Sequence, residues 1–379
     1  MTLTEQRRAD QGIDVRIATT DAEREAVYRF RYDVYVEELG RYRAIADHER
    51  RRLADPEDAH SWIVYATADD EVVASFRATW GGNGFSDRQV DQYQLVPFLA
   101  ELPPERMAVG ERTMISPRWR GADLFSALGE GSAALVRDHD VRIVFGACEP
   151  HLISFYVRYQ RPYGTRNINS PEAGFLVPLV SFPQGAEALM EFGADGELPT
   201  CVSDVLEGTG TVLSPVLLGD EEYQRWVHGA VDALGSSVFD GMDHEDVTKV
   251  IQRSNVVACS GGDRLLKRGG SARNVFVVLD GALAVSRNGM PVGSVGPGEI
   301  VGEMAYLLRR PRSFDVDVVE DTHVLSLSER TLTALTEVAP GVAAQLASNM
   351  SRQISRRLAD AGDARAAPCG IGRGLAIVR

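Results

Sequence analysis

The residues with the most specific chemical pattern run from 302 to 313 and read G-E-M-A-Y-L-L-R-R-P-R-S. Gly302 lets the backbone approach a ligand closely, and the M-A-Y-L-L run favours a short helix whose first N–H groups point at an anion. Arg312 would neutralise a phosphate, and Glu303 can accept hydrogen bonds from a sugar hydroxyl because a carboxylate is an acceptor. This spacing predicts a site for one small phosphorylated ligand.

The cassette resembles that of the cyclic nucleotide-binding domain family, and the resemblance extends over about residues 237–362. Before the cassette, R-N-V-F-V-V-L-D-G-A-L-A-V and V-G-P-G-E-I-V place apolar residues between glycines, a pattern typical of a small β-roll. The resemblance implies that Glu303 binds the ribose hydroxyl, that Arg312 binds the cyclic phosphate and that Ser313 is a supporting donor. The regulatory ligand would be cAMP or cGMP. The implied site comprises Gly302, Glu303, Met304, Ala305, Arg312 and Ser313.

Two features of this region leave an alternative open. Phe314 stands where the family usually has a small residue, so its ring would narrow or fill the phosphate pocket. In a degenerate domain of the same fold, Glu303 and Arg312 would merely pair with each other. We favour nucleotide binding because both residues are present at the expected spacing, and we expect Arg312→Ala to abolish binding while the fold is retained.

A second set of charged residues lies in the phrases R-Y-D-V-Y-V-E-E-L-G, E-V-V-A-S-F-R, E-R-T-M-I-S-P-R-W-R-G and E-P-H-L-I-S-F-Y-V-R-Y. These phrases, within residues 13–183, resemble the GNAT acyltransferase superfamily, in particular the N-acyl amino acid synthases and the acyl-homoserine-lactone synthases. The resemblance implies transfer of an acyl group from a thioester to an amine. The candidate catalytic residues are Glu38, Asp58, Arg77, Glu111 and Arg112. The candidate substrate-binding residues are Arg31, Arg118 and Arg120.

Glu111 and Arg112 depart from the pattern of this subgroup, which usually writes E-x-x-R on its fourth strand. Here the glutamate is displaced and directly precedes the arginine. Neighbours on a strand point to opposite faces, so both side chains can face the substrate only at a β-bulge. One of the two roles therefore depends on an irregularity in that strand.

The other candidates also have simpler interpretations. Arg31 and Glu38 can be solvated charges on a helix, and Asp58 can cap the turn that D-P-E-D predicts. Arg77 lies in an otherwise apolar strand, which favours a functional role.

The loop after Pro117 bears on the acyl donor. Acetyl-coenzyme A enzymes of this superfamily carry glycines there, so that bare N–H groups can hold a pyrophosphate. In the corresponding R-G-A-D-L-F, Asp123 and Phe125 replace small residues and disfavour a pyrophosphate by charge and by volume. Acyl carrier protein, whose phosphopantetheine lacks that pyrophosphate, is the expected donor and partner, and an acyl-coenzyme A thioester is the alternative. A basic patch that includes Arg118 and Arg120 would receive this acidic carrier.

The whole composition limits the class of protein. The chain has 379 residues and a formal net charge of −14, which argues against nucleic acid as a partner. Its start lacks an apolar signal region and no run approaches a membrane span, so we expect a cytoplasmic protein. No histidine cluster or C-x-x-C pair suggests a metal site.

The elements that must position these residues predict an α+β protein: a GNAT-like mixed sheet with flanking helices, followed by a cyclic nucleotide-binding β-roll with a helical lid. We expect an acyltransferase domain at 13–183, a linker with a helix at 184–236, a nucleotide-binding domain at 237–362 and a tail at 363–379. The predicted function is N-acyl transfer to an amino acid or similar amine under cyclic nucleotide control. The alternatives are a cAMP-regulated coenzyme A-dependent protein lysine acetyltransferase and a non-catalytic nucleotide sensor. The lid helix is also compatible with a homodimer seam.

Overall fold

The computed structural model describes residues 12–120 and 122–366, without the side chains of 122, 123 and 360–366. Part of the predicted tail and Asp123 of the donor loop therefore lie outside the description. The strands are β1 (Asp14–Ile17), β2 (Trp62–Ala68), β3 (Glu71–Trp80), β4 (Met107–Ile115), β5 (Ile143–Cys148), β6 (Arg161–Pro162), β7 (Ile168–Ser170), β8 (Gly174–Ser181), β9 (Val212–Leu213), β10 (Asn255–Cys259), β11 (Arg264–Leu266), β12 (Val275–Val278), β13 (Leu283–Arg287), β14 (Met290–Val295), β15 (Ile300–Val301), β16 (Asp315–Val318) and β17 (Thr322–Leu327).

The α-helices are α1 (Asp21–Arg31), α2 (Asp87–Gln92), α3 (Val96–Glu101), α4 (Ala122–Asp138), α5 (Ile153–Tyr156), α6 (Thr200–Glu207), α7 (Pro215–Leu218), α8 (Asp220–Asp232), α9 (His244–Ile251), α10 (Glu303–Leu308), α11 (Glu329–Val338) and α12 (Pro340–Ala366). Helix α1 continues into one π-helical segment, Tyr32–Glu38, and short 3₁₀ segments occur in several loops.

The first half is built on an eight-stranded mixed sheet with the order β1-β2-β3-β4-β5-β8-β6, in which β7 pairs with β8. Strands β4 and β5 are parallel, and their pairing covers only Met107–Val109 against Ile143–Phe145. Beyond these residues β4 continues with β3 while β5 continues with β8. The two strands therefore separate near the middle of the sheet, and the second half of β4 faces this opening.

Tight turns explain why the neighbouring hairpins form. Asp69 and Asp70, between β2 and β3, have φ angles of 51° and 62°. Asn288 and Gly289, between β13 and β14, have φ angles of 53° and 75°. Two consecutive positive φ angles match the twist of antiparallel strands, and Asp, Asn and Gly tolerate them best. These turn residues therefore favour the two hairpins, β2–β3 and β13–β14, that the structure contains.

The second half is a β-roll of two sheets, ordered β15-β12-β17-β10-β9 and β11-β16-β13-β14. Helix α10 lies between β15 and β16, and α11 and α12 follow the last strand. The α+β class, with a mixed sheet, a β-roll and terminal helices, is confirmed.

Helix α12 is amphipathic over only part of its length. Val342, Leu346 and Met350 are buried, but Leu358 is 69% exposed. These residues are spaced four positions apart or a multiple of four. Each step of four advances about 40° further than a full turn of an α-helix, so a stripe of this spacing rotates away from the core.

The two halves share a hydrophobic core. One cluster combines residues of the first sheet, such as Phe175 and Val177, with residues of the β-roll, such as Leu266 and Phe276. The segment between them is divided: α6 packs on the first half through Cys201 and other residues, whereas β9 is an edge strand of the β-roll.

Candidate functional site

A bulge in β4 brings Glu111 and Arg112 to one site. Ser75 of β3 pairs with Met114 and Arg77 pairs with Glu111, so β4 contains one more residue than β3 between these pairs. Arg112 has a φ angle of 58°, which lies in the left-handed region. The side chains of Glu111 and Arg112 thus both reach the cluster of charged residues around Arg77. The regular alternation of side chains along a strand would prevent this.

Arg77 is the centre of this group and is only 1% exposed. Its Nη2 donates to Oε2 of Glu111 at 2.6 Å, and its Nη1 donates to Oδ2 of Asp55 at 2.9 Å. Arg112 donates to both carboxylate oxygens of Asp55, each at 2.6 Å. A single connected network therefore joins β3, β4 and the loop that precedes β2.

Asp58 caps a turn, as its sequence context suggests, and also forms a buried ion pair. Its Oδ2 accepts a hydrogen bond from the backbone N–H of Asp55 at 2.7 Å, at the start of the 3₁₀ segment Pro56–His60. The same oxygen accepts from Nη1 of Arg31 at 2.7 Å, and neither side chain is more than 2% exposed. The turn cap and the buried ion pair coexist.

Arg88 and two other members of the network, Asp55 and Glu57, were not predicted. Arg88 donates to Glu111 at 2.8 Å and to Glu57 at 2.9 Å. The Cζ atom of Arg112 lies 4.0 Å from the centroid of the Tyr42 ring. A helix-start signal, S-x-x-Q at residues 86–89, could have placed Arg88 on α2, because such a capping box marks a first turn. The complete set is Arg31, Arg77, Arg88, Arg112, Asp55, Glu57, Asp58 and Glu111.

Three carboxylates of this network are held in their ionised form. Burial alone would raise the pKa of Asp55, Glu57 and Glu111, but the neighbouring guanidinium groups lower all three, that of Glu111 to about 2. Burial also raises the pKa of the Tyr93 phenol, which stays protonated beside Glu111. At neutral pH the group is a balanced set of fixed charges in which Glu111 is a weak base.

Glu38 and Arg120 are predicted site residues that lie apart from the network. They form an ion pair with each other at 2.5 Å, with side-chain exposures of 29% and 48%. Arg118 is exposed in the neighbouring 3₁₀ segment Pro117–Trp119. These residues form part of the surface beside the donor loop.

The donor loop carries an aromatic cluster. The ring of Phe125 lies 5.0 Å from that of Phe155, 5.3 Å from that of Tyr156 and 5.9 Å from that of Tyr159, as centroid distances. The Phe125 side chain, at the start of α4, therefore packs among three aromatic rings.

Arg312 is the centre of the second candidate site and is 5% exposed. Its Nη1 donates to the carbonyl of Gly302 at 2.7 Å, and its Nη2 donates to the carbonyl and side-chain oxygens of Asn274, both at 2.7 Å. Its Nε has no hydrogen-bond partner among the described residues. A buried guanidinium with donors to spare suits an anion.

Glu303 does not form an ion pair with Arg312 among the described residues. Its nearest cationic partner is Nη1 of Arg357 on α12, at 3.8 Å. Burial raises the pKa of Glu303. The cassette is thus in contact with the lid helix through a carboxylate at the start of α10.

The remaining cassette residues differ in exposure. Ala305 is buried, Met304 is 37% exposed and Ser313 is half-buried. Phe314 is half-buried and lies outside the lining of the cavity that contains Arg312, so its ring does not fill that cavity. The cavity has a volume of about 260 Å³.

Both halves match known families. Residues 26–173 match the family described as N-acyl amino acid synthase FeeM, and residues 256–338 match the cyclic nucleotide-binding domain. The chain therefore carries an N-acyl amino acid synthase domain of the FeeM family followed by a cyclic nucleotide-binding domain. The two resemblances noted in the sequence are confirmed.

Curated relatives match one half at a time. An L-ornithine N(alpha)-acyltransferase of Rhodobacter capsulatus is 32% identical over 151 residues, 36% of this chain and 56% of that protein. The Pycsar effector protein XpPycTIR of Xanthomonas perforans is 29% identical over 110 residues, 29% of this chain and 36% of that protein. A cAMP-dependent protein kinase regulatory subunit of Yarrowia lipolytica is 28% identical over 94 residues, 25% of each chain. The chain thus spans between a quarter and just over half of these relatives.

The described residues contain no helix that is long and apolar enough to cross a membrane. They also contain no group of three or more His, Cys, Asp or Glu side chains placed to hold a metal ion.

Proposed function

We propose that this protein is an N-acyltransferase that transfers an acyl group from a thioester to the amine of an amino acid or similar acceptor, under control of a cyclic nucleotide. The observation that carries the proposal is the buried network centred on Arg77, located in the part of the chain that matches the N-acyl amino acid synthase family. Such fixed charges can orient a zwitterionic acceptor and stabilise developing charge without reorganisation.

Acyl transfer requires three events at this site. The amine nitrogen attacks the thioester carbonyl carbon, the carbonyl oxygen becomes an oxyanion, and the thiolate leaves as the C–S bond breaks. We assign Arg112 the role of donor to the acceptor carboxylate or to the oxyanion, because its side chain is 12% exposed whereas that of Arg77 is 1% exposed. The proton of the amine passes to water, since the low pKa of Glu111 makes it a poor base.

The remaining network residues act as positioning residues. Arg31, Asp58 and Arg77 hold Asp55, and Asp55 fixes Arg112 through two hydrogen bonds. Small displacements of a catalytic donor are costly to rate, so a rigid support is expected behind it.

The donor is proposed to be an acyl group on acyl carrier protein. Phe125 packs among three aromatic rings where a coenzyme A pyrophosphate would need small residues, which supports a donor without that group. Arg118 and the pair of Arg120 with Glu38 lie at the neighbouring surface, where an acidic carrier would approach.

The regulatory ligand is proposed to be cAMP or cGMP. The phosphate would bind at Arg312, whose Nε–H and one Nη–H are available, and Glu303 would accept from the ribose hydroxyl. Glu303 also contacts Arg357 on the lid helix, so a ribose at this carboxylate would compete with that contact.

One experiment separates these proposals from their alternatives. Purified protein is incubated with acyl carrier protein or coenzyme A thioesters, an amino acid pool and a lysine-containing protein, with and without cAMP, and products are identified by mass spectrometry. An N-acyl amino acid formed from the carrier supports the proposal. Acetyl-lysine formed from acetyl-coenzyme A supports a protein acetyltransferase, and cAMP binding without any product supports a sensor.

A further inference from the structure

The cavity that contains Arg312 has walls from both halves of the protein. The β-roll contributes residues 265–270, Ala272, Asn274, Phe276 and Arg312, and the first half contributes 40–44, Glu149, Pro150 and 171–175. These latter residues lie outside the part that matches the nucleotide-binding domain, 256–338. Of the cassette residues only Arg312 lines this cavity, and Glu303 lies outside the lining. A ligand group that binds Arg312 from this cavity therefore touches the acyltransferase half directly.

The first-half wall carries a partly buried ion pair. Nη1 of Arg41 donates to Oε1 of Glu149 at 2.7 Å, and their side chains are 12% and 19% exposed. Burial lowers the pKa of Arg312 to about 10, and the negative charges of Glu149 and then Glu303 oppose that shift. Glu149 thus acts on Arg312 across the boundary between the halves.

The same segment reaches the acyl-transfer network. Arg41, Tyr42 and Arg43 all line the cavity, and the ring of Tyr42 also lies against Arg112, with 4.0 Å from Cζ to the ring centroid. Gly40 and Tyr42 have positive φ angles of 67° and 56°, so the backbone here is sharply bent. Consecutive residues of one short segment contact both sites.

We propose that the phosphate end of the nucleotide site, at Arg312, is shared by the two domains, with residues 40–44 and Glu149 as its second wall, and that Tyr42 carries its occupancy to Arg112. This inference rests on the proposed function. A cyclic phosphate brings a negative charge beside Glu149 and competes with it for Arg41 and Arg312. The ion pair that anchors the segment is weakened, the segment shifts, and Tyr42 moves relative to Arg112.

Calorimetric titration of the full chain with the 3′,5′-cyclic mononucleotides of the four bases tests the shared wall. Glu149→Gln removes the repelling charge and should lower the Kd by roughly fivefold or more, whereas Arg41→Gln should raise it by a similar factor. Glu37→Gln and Arg51→Gln are matched controls. They alter an exposed ion pair of the same half, with side-chain exposures of 50% and 57%, and should leave the Kd unchanged.

The outcomes distinguish this inference from the function on which it rests. If the unaltered protein binds none of the four nucleotides, both are overturned. If binding depends on Arg312 but Glu149→Gln and Arg41→Gln behave like their controls, the shared site is overturned and nucleotide control stands. Opposite shifts in Kd for these two variants support the shared site.

Amide hydrogen exchange tests the transmission to Arg112. Saturating nucleotide should change the exchange of residues 40–46 as well as that of the cassette, and Arg312→Ala should remove both changes. A change confined to residues 302–313 would overturn the role of Tyr42, whatever the effect on activity. This readout needs neither the acyl donor nor the acceptor to be known.

Discussion

Arg31 and Asp58 form an ion pair whose side chains are 0% and 2% exposed. Removal of Arg31 leaves Asp58 with Arg77, at 3.4 Å, as its remaining cationic partner, and the loss of one member of a buried ion pair costs roughly 3–5 kcal/mol. We expect Arg31→Met to lower the free energy of unfolding by about that amount in urea denaturation. Arg29→Met, on the same helix at 66% side-chain exposure, should change it by less than about 0.5 kcal/mol. Equal stability of the two variants would contradict a structural role for the pair.

Glu111 gives the network a predictable pH dependence. Its pKa is about 2 in the folded protein and is ordinarily 4.5, so the folded state binds its proton less readily than the unfolded state. Its contribution, on the order of 3 kcal/mol, is present above pH 4.5 and is lost as the pH falls towards 2. Glu111→Gln should therefore be less stable than the unaltered protein at pH 6, and the difference should shrink on acidification. A difference that is constant between pH 6 and pH 3 would contradict this.

Predictability from sequence differed among the residues of this network. Arg31, Asp58, Arg77, Glu111 and Arg112 were named from resemblance, and all five lie in one cluster. The side-chain partners that complete the cluster were not named, because their contacts depend on how α2 and the loop before β2 pack on the sheet. The bulge at Arg112 could only be stated as a condition, since one added residue in a strand leaves no sequence signal of its own.

At the scale of elements, the start of α10 depends on one glycine. Gly302 has a φ angle of 88°, and a Cβ atom there would lie 2.4 Å from Nη1 of Arg312 and 2.8 Å from the carbonyl of Asn274. We expect Gly302→Ala to displace Arg312 and to weaken nucleotide binding by tenfold or more, measured by calorimetric titration.

Gly289 provides the matched control for this variant. It also has a positive φ angle, 75°, but a Cβ atom there would meet nothing within 4 Å. Gly289→Ala should therefore carry a similar backbone strain of about 1 kcal/mol and leave the Kd unchanged. If both variants weaken binding equally, the close approach of Gly302 to Arg312 is not the cause.

Regular elements were predicted more fully than irregular ones. Both hairpins follow from their turn residues, whereas the π-helical segment Tyr32–Glu38 and the sharp bend at 40–44 follow from no local pattern. The segment 184–220 is rich in Gly and Pro and was interpreted as a linker, yet its apolar residues allow α6 and β9 to pack on opposite halves. Composition indicates where a chain can turn, but packing decides whether it is ordered.

At the scale of the whole molecule, two asparagines join the halves. Nδ2 of Asn167 donates to the carbonyl of Ala258 at 2.8 Å, and its Oδ1 accepts from Thr211 at 2.7 Å. Two residues further on, Nδ2 of Asn169 donates to Asp263 at 2.7 Å, and its Oδ1 accepts from the backbone N–H of Arg264 at 2.9 Å. Both ends of each amide are used, so each side chain fixes the β-roll against the first sheet in a defined orientation.

These contacts and the shared core predict that the protein unfolds as one unit. Unaltered protein should show a single transition in scanning calorimetry, because the core cluster crosses the boundary between the halves. The double change Asn167→Ala and Asn169→Ala removes hydrogen bonds from the buried side chains of Thr211 and Asp263, at about 1–3 kcal/mol for each, and this loss falls on the interface. We expect the transition to broaden or divide in two.

Asn83→Ala is the control: it removes an exposed hydrogen bond to the carbonyl of His60 and should leave the transition single. Two transitions in the unaltered protein would mean that the halves unfold independently, and the route from the nucleotide cavity to Arg112 would then lack the rigid boundary on which it depends.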